Sequence, residues 1–258
     1  MTVRSPAVAG LFYPREPRRL QADLDALLAA VAPAESPPPK AVIAPHAGYI
    51  YSGAAAAAAF ATLAAGAAAI TRVVLIGPAH HAWLRSMAAP TVDVFETPLG
   101  RVRVDHAALA DLPLVQRDDA AHAPEHALEV ELPFLQRVLG SFTIVPLLVG
   151  DVPPQAVAET LGRLWGDAKT VIVVSSDLSH YHDYDTARLR DRATAMAIEH
   201  GDWAALGPDD ACGCLPIAGL LIEAGRRGLR AQRLALCNSG DMAGDRNRVV
   251  GYGAWRLH

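Results

Sequence analysis

Histidine and cysteine are the side chains here best suited to hold a metal ion or move protons, and this 258-residue chain has ten of one and three of the other. Imidazole ligates iron, copper and zinc and changes charge near neutrality; a thiolate adds a soft anionic donor. Their placement is uneven. His46 follows "AVIA" (41–44) in "PHAGYIYSG"; His80 and His81 follow "RVVLIG" (72–77) in "PAHH". Asp177, His180 and His182 follow "TVIVVSS" (170–176) in "DLSHYH". "EHALEVELPFL" (125–135) adds His126 and Glu129, and "CGCLP" brings Cys212 and Cys214 one residue apart. Two imidazoles and one anionic donor with open positions suit non-haem iron, zinc, or copper when the anion is a thiolate. Unliganded histidine and aspartate nearby would then handle protons.

Other chemistries find less support. The chain lacks H-E-x-x-H and G-x-S-x-G, and no glycine-rich phosphate loop follows any apolar run, which argues against zincin, serine-hydrolase and nucleotide-cofactor chemistry. A cysteine–histidine nucleophile stays open. Pro216 would open a helix well, and a helix start lowers a thiol pKa, but this favours Cys212 and Cys214 equally. Cys237 is expected to serve as small apolar packing. His106, His200 and His258 sit in surface-like contexts, and His122 is flanked by alanines in a loop.

The elements that must position these residues alternate along the chain. Continuous apolar, β-branched runs at 41–44, 72–77, 143–150, 170–176 and 248–257 predict strands covered on both faces. Helical segments are expected at "RRLQADLDALLAAVA", 53–66, near 127–140, 153–167, 186–200 (closed by Gly201) and 216–227 (closed by Gly228). The alternation predicts an α/β fold, a mainly parallel central sheet with helices on both faces. A proline-rich connector spans 32–40 and is too short for a domain boundary, so one domain over 1–258 is expected. Ligands of such sheets bind beyond the carboxyl ends of the strands, where three runs deliver histidine or carboxylate. His126 and Glu129 would share a helical face only if the helix passes through Pro133.

Bulk properties narrow the partners. With 52% hydrophobic and 19% charged residues and a net charge of −4, no nucleic-acid or anionic-membrane surface is expected. "GAAAAAAFATLAAGAAAI" (53–70) is mostly alanine and falls short of the roughly 20 apolar residues of a membrane span, so it reads as a buried helix. The start carries no basic region followed by a long apolar run; together with three cysteines this predicts a cytoplasmic chain with free or metal-bound thiols.

Taken together, "AVAGLFYP", "APHAGYIYSG", "VLIGPAHH", "EHALEVELPFLQ", "IVPLLVG", "VVSSDLSHY", "CGCLPIAGLL" and "SGD…VVGYGAW" resemble the Memo family, whose bacterial and archaeal members are known as the B protein of the AmmeMemoRadiSam system. The family is similar in fold to class III extradiol dioxygenases, which hold iron(II) with two histidines and a glutamate. The resemblance implies His46 and His80 as imidazole ligands, with Cys212 where the dioxygenases have their carboxylate. It places Asp177 and His180 in the same pocket, His180 at the acid/base position, with His126 and Glu129 beside them. A thiolate shifts preference toward copper or zinc while still admitting iron, and it is oxidisable, so dioxygenase activity does not follow from the fold. The expected function is a mononuclear iron or copper protein, zinc being possible, acting on a small molecule or handling the metal. A radical SAM companion is implied by the system name alone. Two alternatives stand beside it: a peptide-binding module with a vestigial site, and a metal-independent Cys–His hydrolase. The sequence shows no arginine cluster to grip a phosphorylated peptide.

Overall fold

The computed structural model describes residues 1–32, 37–242 and 245–258; four residues of the proline-rich connector, 33–36, lie outside them. In chain order the strands are β1 (Val3–Arg4), β2 (Ala41–Ala44), β3 (Arg72–Pro78), β4 (Met87–Ala89), β5 (Val94–Thr97) and β6 (Gly100–Val104). They continue with β7 (Val115–Arg117), β8 (Thr143–Val149), β9 (Thr170–Ser175), β10 (His180–His182), β11 (Ala231–Asn238) and β12 (Val249–Leu257). The helices are α1 (Pro17–Ala29), α2 (Tyr49–Ala61), α3 (Asp119–His122), α4 (Leu132–Val138), α5 (Pro154–Leu164), α6 (Tyr184–His200), α7 (Cys214–Arg226) and α8 (Ser239–Met242).

The sheet runs β1-β5-β6-β8-β3-β9-β2-β12-β10, with β11 on β12 and β4 on β8. Its centre, β6-β8-β3-β9-β2, is parallel throughout. β12 joins β2 antiparallel, so its first residues lie at the carboxyl end of β2. The fully buried runs in β2, β3, β8 and β9 explain the unbroken apolar sequence: both faces are covered. α5 and α7 pack together, with α7 on β3 and β9; α2 packs on β2, β11 and β12 and carries α1 and α4. Alanine explains how α2 comes so close. Ala55, Ala56, Ala57 and Ala59 are buried, and a larger side chain there would push the helix off the sheet.

The five predicted strands appear at β2, β3, β8, β9 and β12. Gly201 ends α6 in a left-handed cap at φ 72°. One expectation is corrected. The helix expected near 127–140 is confined to Leu132–Val138, and Pro133 lies in its first turn, where a missing N–H removes no helical bond. His126 and Glu129 therefore sit in the turn before α4, not on one helical face. Among the described residues, no helix is long and apolar enough to cross a membrane.

Candidate metal centre

β3, β9 and β2 are neighbours in the parallel centre, so their carboxyl ends stand side by side. His46 follows β2, His80 follows β3, Ser175 ends β9, and Ser176 and Asp177 follow it. The turn before α4 reaches the same place with His126. The three rings meet at centroid distances of 5.2 Å (His46–His80), 5.3 Å (His46–His126) and 4.7 Å (His80–His126). One ring nitrogen from each lies within 4.8 Å of the others, an arrangement that can hold a metal ion.

Two of the rings are anchored. His46 Nδ1 lies 2.7 Å from Ser175 Oγ, whose proton goes to the Ala127 carbonyl at 2.7 Å. The serine oxygen thus accepts the His46 Nδ1–H, leaving Nε2 with a free lone pair. His80 Nδ1 is 2.9 Å from Glu125 Oε1, and its backbone N–H donates to Oε2 of the same carboxylate at 2.5 Å. His126 Nδ1 lies 3.3 Å from Glu125 Oε1, so one carboxylate faces two imidazoles. Glu131 Oε1 is 2.8 Å from Ser175 Oγ, while Glu131 Oε2 is buried without a partner. Burial pushes the Glu131 acid well above the ordinary carboxylate range.

Burial dominates the electrostatics of His46 and His126. Burial, then the neighbouring His80 and His126, holds His46 well below the usual imidazole value. Burial lowers His126 to about 4, against the attraction of Glu125. Burial would raise Glu125, but the His80 hydrogen bond and charge and the Ala127 and His80 N–H groups hold it at about 2. Asp177 goes the other way: burial raises it to about 7, opposed by the His46 N–H, which donates to Oδ1 at 2.9 Å.

Cys212 sits on another side of His46. Its Sγ is 3.4 Å from His46 Nε2 and accepts the Asp177 N–H at 3.3 Å. Burial, then the Asp177 carboxylate, pushes this thiol up, so without a metal the sulfur keeps its proton. The loop can approach because position 213 is glycine: a Cβ there would meet Ser176 Cβ at 2.6 Å and the Ser175 carbonyl at 2.9 Å. Cys214 is buried in the first turn of α7. His46, His80 and Cys212 are not among the trios of donors that share the 4.8 Å spacing; His126 fills the third place there.

His180 lies on β10, where the pairing with β12 shifts register between His180 and His182. Tyr181 between them takes a left-handed φ of 64°, a strained conformation for a side chain of this size. His180 Nδ1 is 2.8 Å from the Leu178 carbonyl, which leaves Nε2 as the ring's acceptor. Glu129 lies beside the pocket. It is fully buried, paired with Arg4, and accepts from Ala7 N (2.7 Å), Val8 N (3.0 Å) and Tyr13 OH (2.5 Å). Its place beside the pocket is structural: Arg4 also donates to the Glu125 carbonyl at 2.5 Å and so fixes the turn that bears His126.

Sequence reasoning missed Glu125, although it directly precedes His126 in "EHAL"; the Glu-His pair was the available signal. It missed Ser175 and Glu131 too, whose roles depend on contacts 44 to 48 residues away.

A family model described as Memo-like protein matches residues 4–256. The chain belongs to the Memo family. This Memo-family chain is 36% identical over 267 residues to a MEMO1 family protein of Aquifex aeolicus, covering 98% of each. It is 37% identical over 275 residues to one of Thermotoga neapolitana, covering 97% of this chain and 98% of that one. A solved structure, that of uncharacterized protein JW3007 from Escherichia coli K12, is similar with a TM-score of 0.45 and 14% identity, over 74% of this chain and 90% of that one.

Proposed function

We propose that this chain binds one transition-metal ion, iron(II) or copper with zinc as the further option, and uses it for oxidation of a small molecule or for metal handling. The observation that supports this most is the convergence of His46, His80 and His126 within 4.8 Å at the carboxyl edge of the sheet. The donor chemistry fits: neutral imidazoles suit each of these metals, and a nearby thiol adds a soft donor for copper or zinc. When bound, the ion supplies a Lewis-acid or one-electron redox centre.

The chain's own contributions follow from the hydrogen bonds. Ser175 fixes the tautomer of His46 and Glu125 that of His80, so both present Nε2 as ligands. The third donor is His126 at the present spacing, or Cys212, which the family resemblance supplies and which already touches His46. Asp177, 4.0 Å from His46 Nε2, and His180 are the groups proposed to move protons to and from a substrate.

Elemental analysis of protein purified with and without oxygen should find close to one metal per chain. His46→Ala and His80→Ala should lose it, and metal content unchanged in both would overturn the proposal. Comparing Cys212→Ser with His126→Ala then identifies the third donor.

The Cys212–His46 contact favours one second reading, a Cys–His hydrolase without metal. A protonated, half-buried thiol is a poor nucleophile. Iodoacetamide labelling of Cys212 that chelators leave unchanged would support the hydrolase; labelling that rises on chelation supports the metal site.

A further inference from the structure

Ser175 Oγ has three partners and one proton. It lies 2.7 Å from His46 Nδ1, 2.7 Å from the Ala127 carbonyl oxygen and 2.8 Å from Glu131 Oε1. A carbonyl only accepts, so the hydroxyl proton goes to Ala127 and the two serine lone pairs are left for the other partners. His46 fills one with its Nδ1–H. The other faces a carboxyl oxygen, and two oxygens this close attract only if a proton lies between them. The far oxygen points the same way. Glu131 is fully buried, and its Oε2 has no hydrogen-bond partner among the described residues. A carboxylate with a bare oxygen in such a place costs far more than a neutral acid, whose second oxygen is an ordinary carbonyl.

We propose that Glu131 is kept as a neutral carboxylic acid and acts as a positioning residue, its Oε1–H donating to Ser175 Oγ so that this oxygen holds the His46 ring with Nε2 free as a donor. The use of Nε2 rests on the metal site proposed above; the proton on Glu131 does not. Burial pushes the acid up, against the Ser175 hydrogen bond and with the Asp177 charge. The two ring anchors then differ in charge. His80 Nδ1 bonds Glu125, whose carboxyl is held at about 2, and an ionised partner makes that ring the more basic ligand. His46 bonds a hydroxyl backed by a neutral acid, so it is the less basic of the pair, and one carboxylate rather than two stands behind the ligands.

The test begins on the metal-free, full-length protein at neutral pH. The infrared spectrum of the wild type minus that of Glu131→Gln should show the C=O stretch of one protonated carboxylic acid. A carboxylate band in its place would overturn the proposal. The second readout is the His46 tautomer, from proton–nitrogen correlation across the imidazole ring. Glu131→Gln still offers an N–H to Ser175 and should keep the Nδ1–H form. Glu131→Met is close in size but has no donor, and it should give a mixture of the two forms. Zinc affinity, read by competition titration, should follow the tautomer. It should stay near wild type in Glu131→Gln and fall about ten-fold in Glu131→Met, the lower end of what loss of an outer partner costs. Equal tautomer populations and equal affinities in the two variants would overturn the donor role. A wild type that shows the acid band and the Nδ1–H form but binds no zinc would overturn the metal site and leave the role of Glu131 standing.

Discussion

His46 and His126 face each other at 5.3 Å, yet two different kinds of structure hold them there. His46, His80 and Asp177 hang from three adjacent parallel strands whose spacing the backbone ladder sets, so the rigid sheet positions them. His126 belongs to a turn with no ladder of its own. That turn is held from outside by Arg4, which bonds the His122 and Glu125 carbonyls and the Glu129 carboxylate. The difference shows that half of the pocket depends on packing of the sheet, and half on one buried ion pair 125 residues apart in sequence.

The largest expected effect strikes the second half. Glu129→Ala would leave Arg4 buried and unpaired, a change that costs about 3–5 kcal/mol. Calorimetry should show a fall in Tm on the order of 10 °C for a chain of this length. A Tm within a degree or two of wild type would mean that the turn is held by something other than this pair.

Glu125→Gln sharpens the comparison, because Glu125 belongs to the turn but orients His80 on the strand side. Loss of such an outer partner should weaken metal binding by roughly 10–100-fold, as read from a competition titration. The same variant carries a pH signature. Since the folded carboxyl is held at about 2, below its ordinary 4.5, its stabilising contribution is present above pH 4.5 and is lost as pH falls toward 2. The wild type should therefore lose more stability than Glu125→Gln between those values, and parallel acid-denaturation curves would contradict this.

Gly213→Ala should have the smallest effect and touch only the strand side. The added Cβ collides with Ser176 and the Ser175 carbonyl, so a loss of about 1–3 kcal/mol is expected, with Cys212 displaced from His46. Cys212 should then react faster with iodoacetamide. If metal content stays at that of the wild type, the three histidines suffice without the thiol; if it falls with the displacement, Cys212 is the working third ligand.

The same division decides what the sequence made legible. Parallel strands covered on both faces write themselves as continuous β-branched runs, and a polar residue just past such a run has no packing reason to be there. His46, His80 and Asp177 could be found that way. The turn from 125 to 131 writes no such pattern. Its apolar residues imitate a helix, and only Pro133 warned that the helix begins later. Glu129, expected beside the pocket with His126, is held by donors from residues 4–13, contacts that no local spacing encodes. The short strands β1, β4 and β7 went unseen because two or three residues are too few to show a period. Choosing Cys212 over Cys214 came from the family resemblance; the structure separates them by placing Cys212 against His46 and Cys214 inside α7.

The central claim is that one metal ion is held where the sheet and the turn meet. Its most direct test is an anomalous-difference map from crystals of protein loaded with one equivalent of iron(II) or zinc, collected on both sides of the metal's absorption edge. The account predicts a single peak within bonding distance of His46 Nε2 and His80 Nε2, closed by His126 or Cys212. A peak elsewhere on the molecule, or none in crystals that elemental analysis shows to contain the metal, would contradict it.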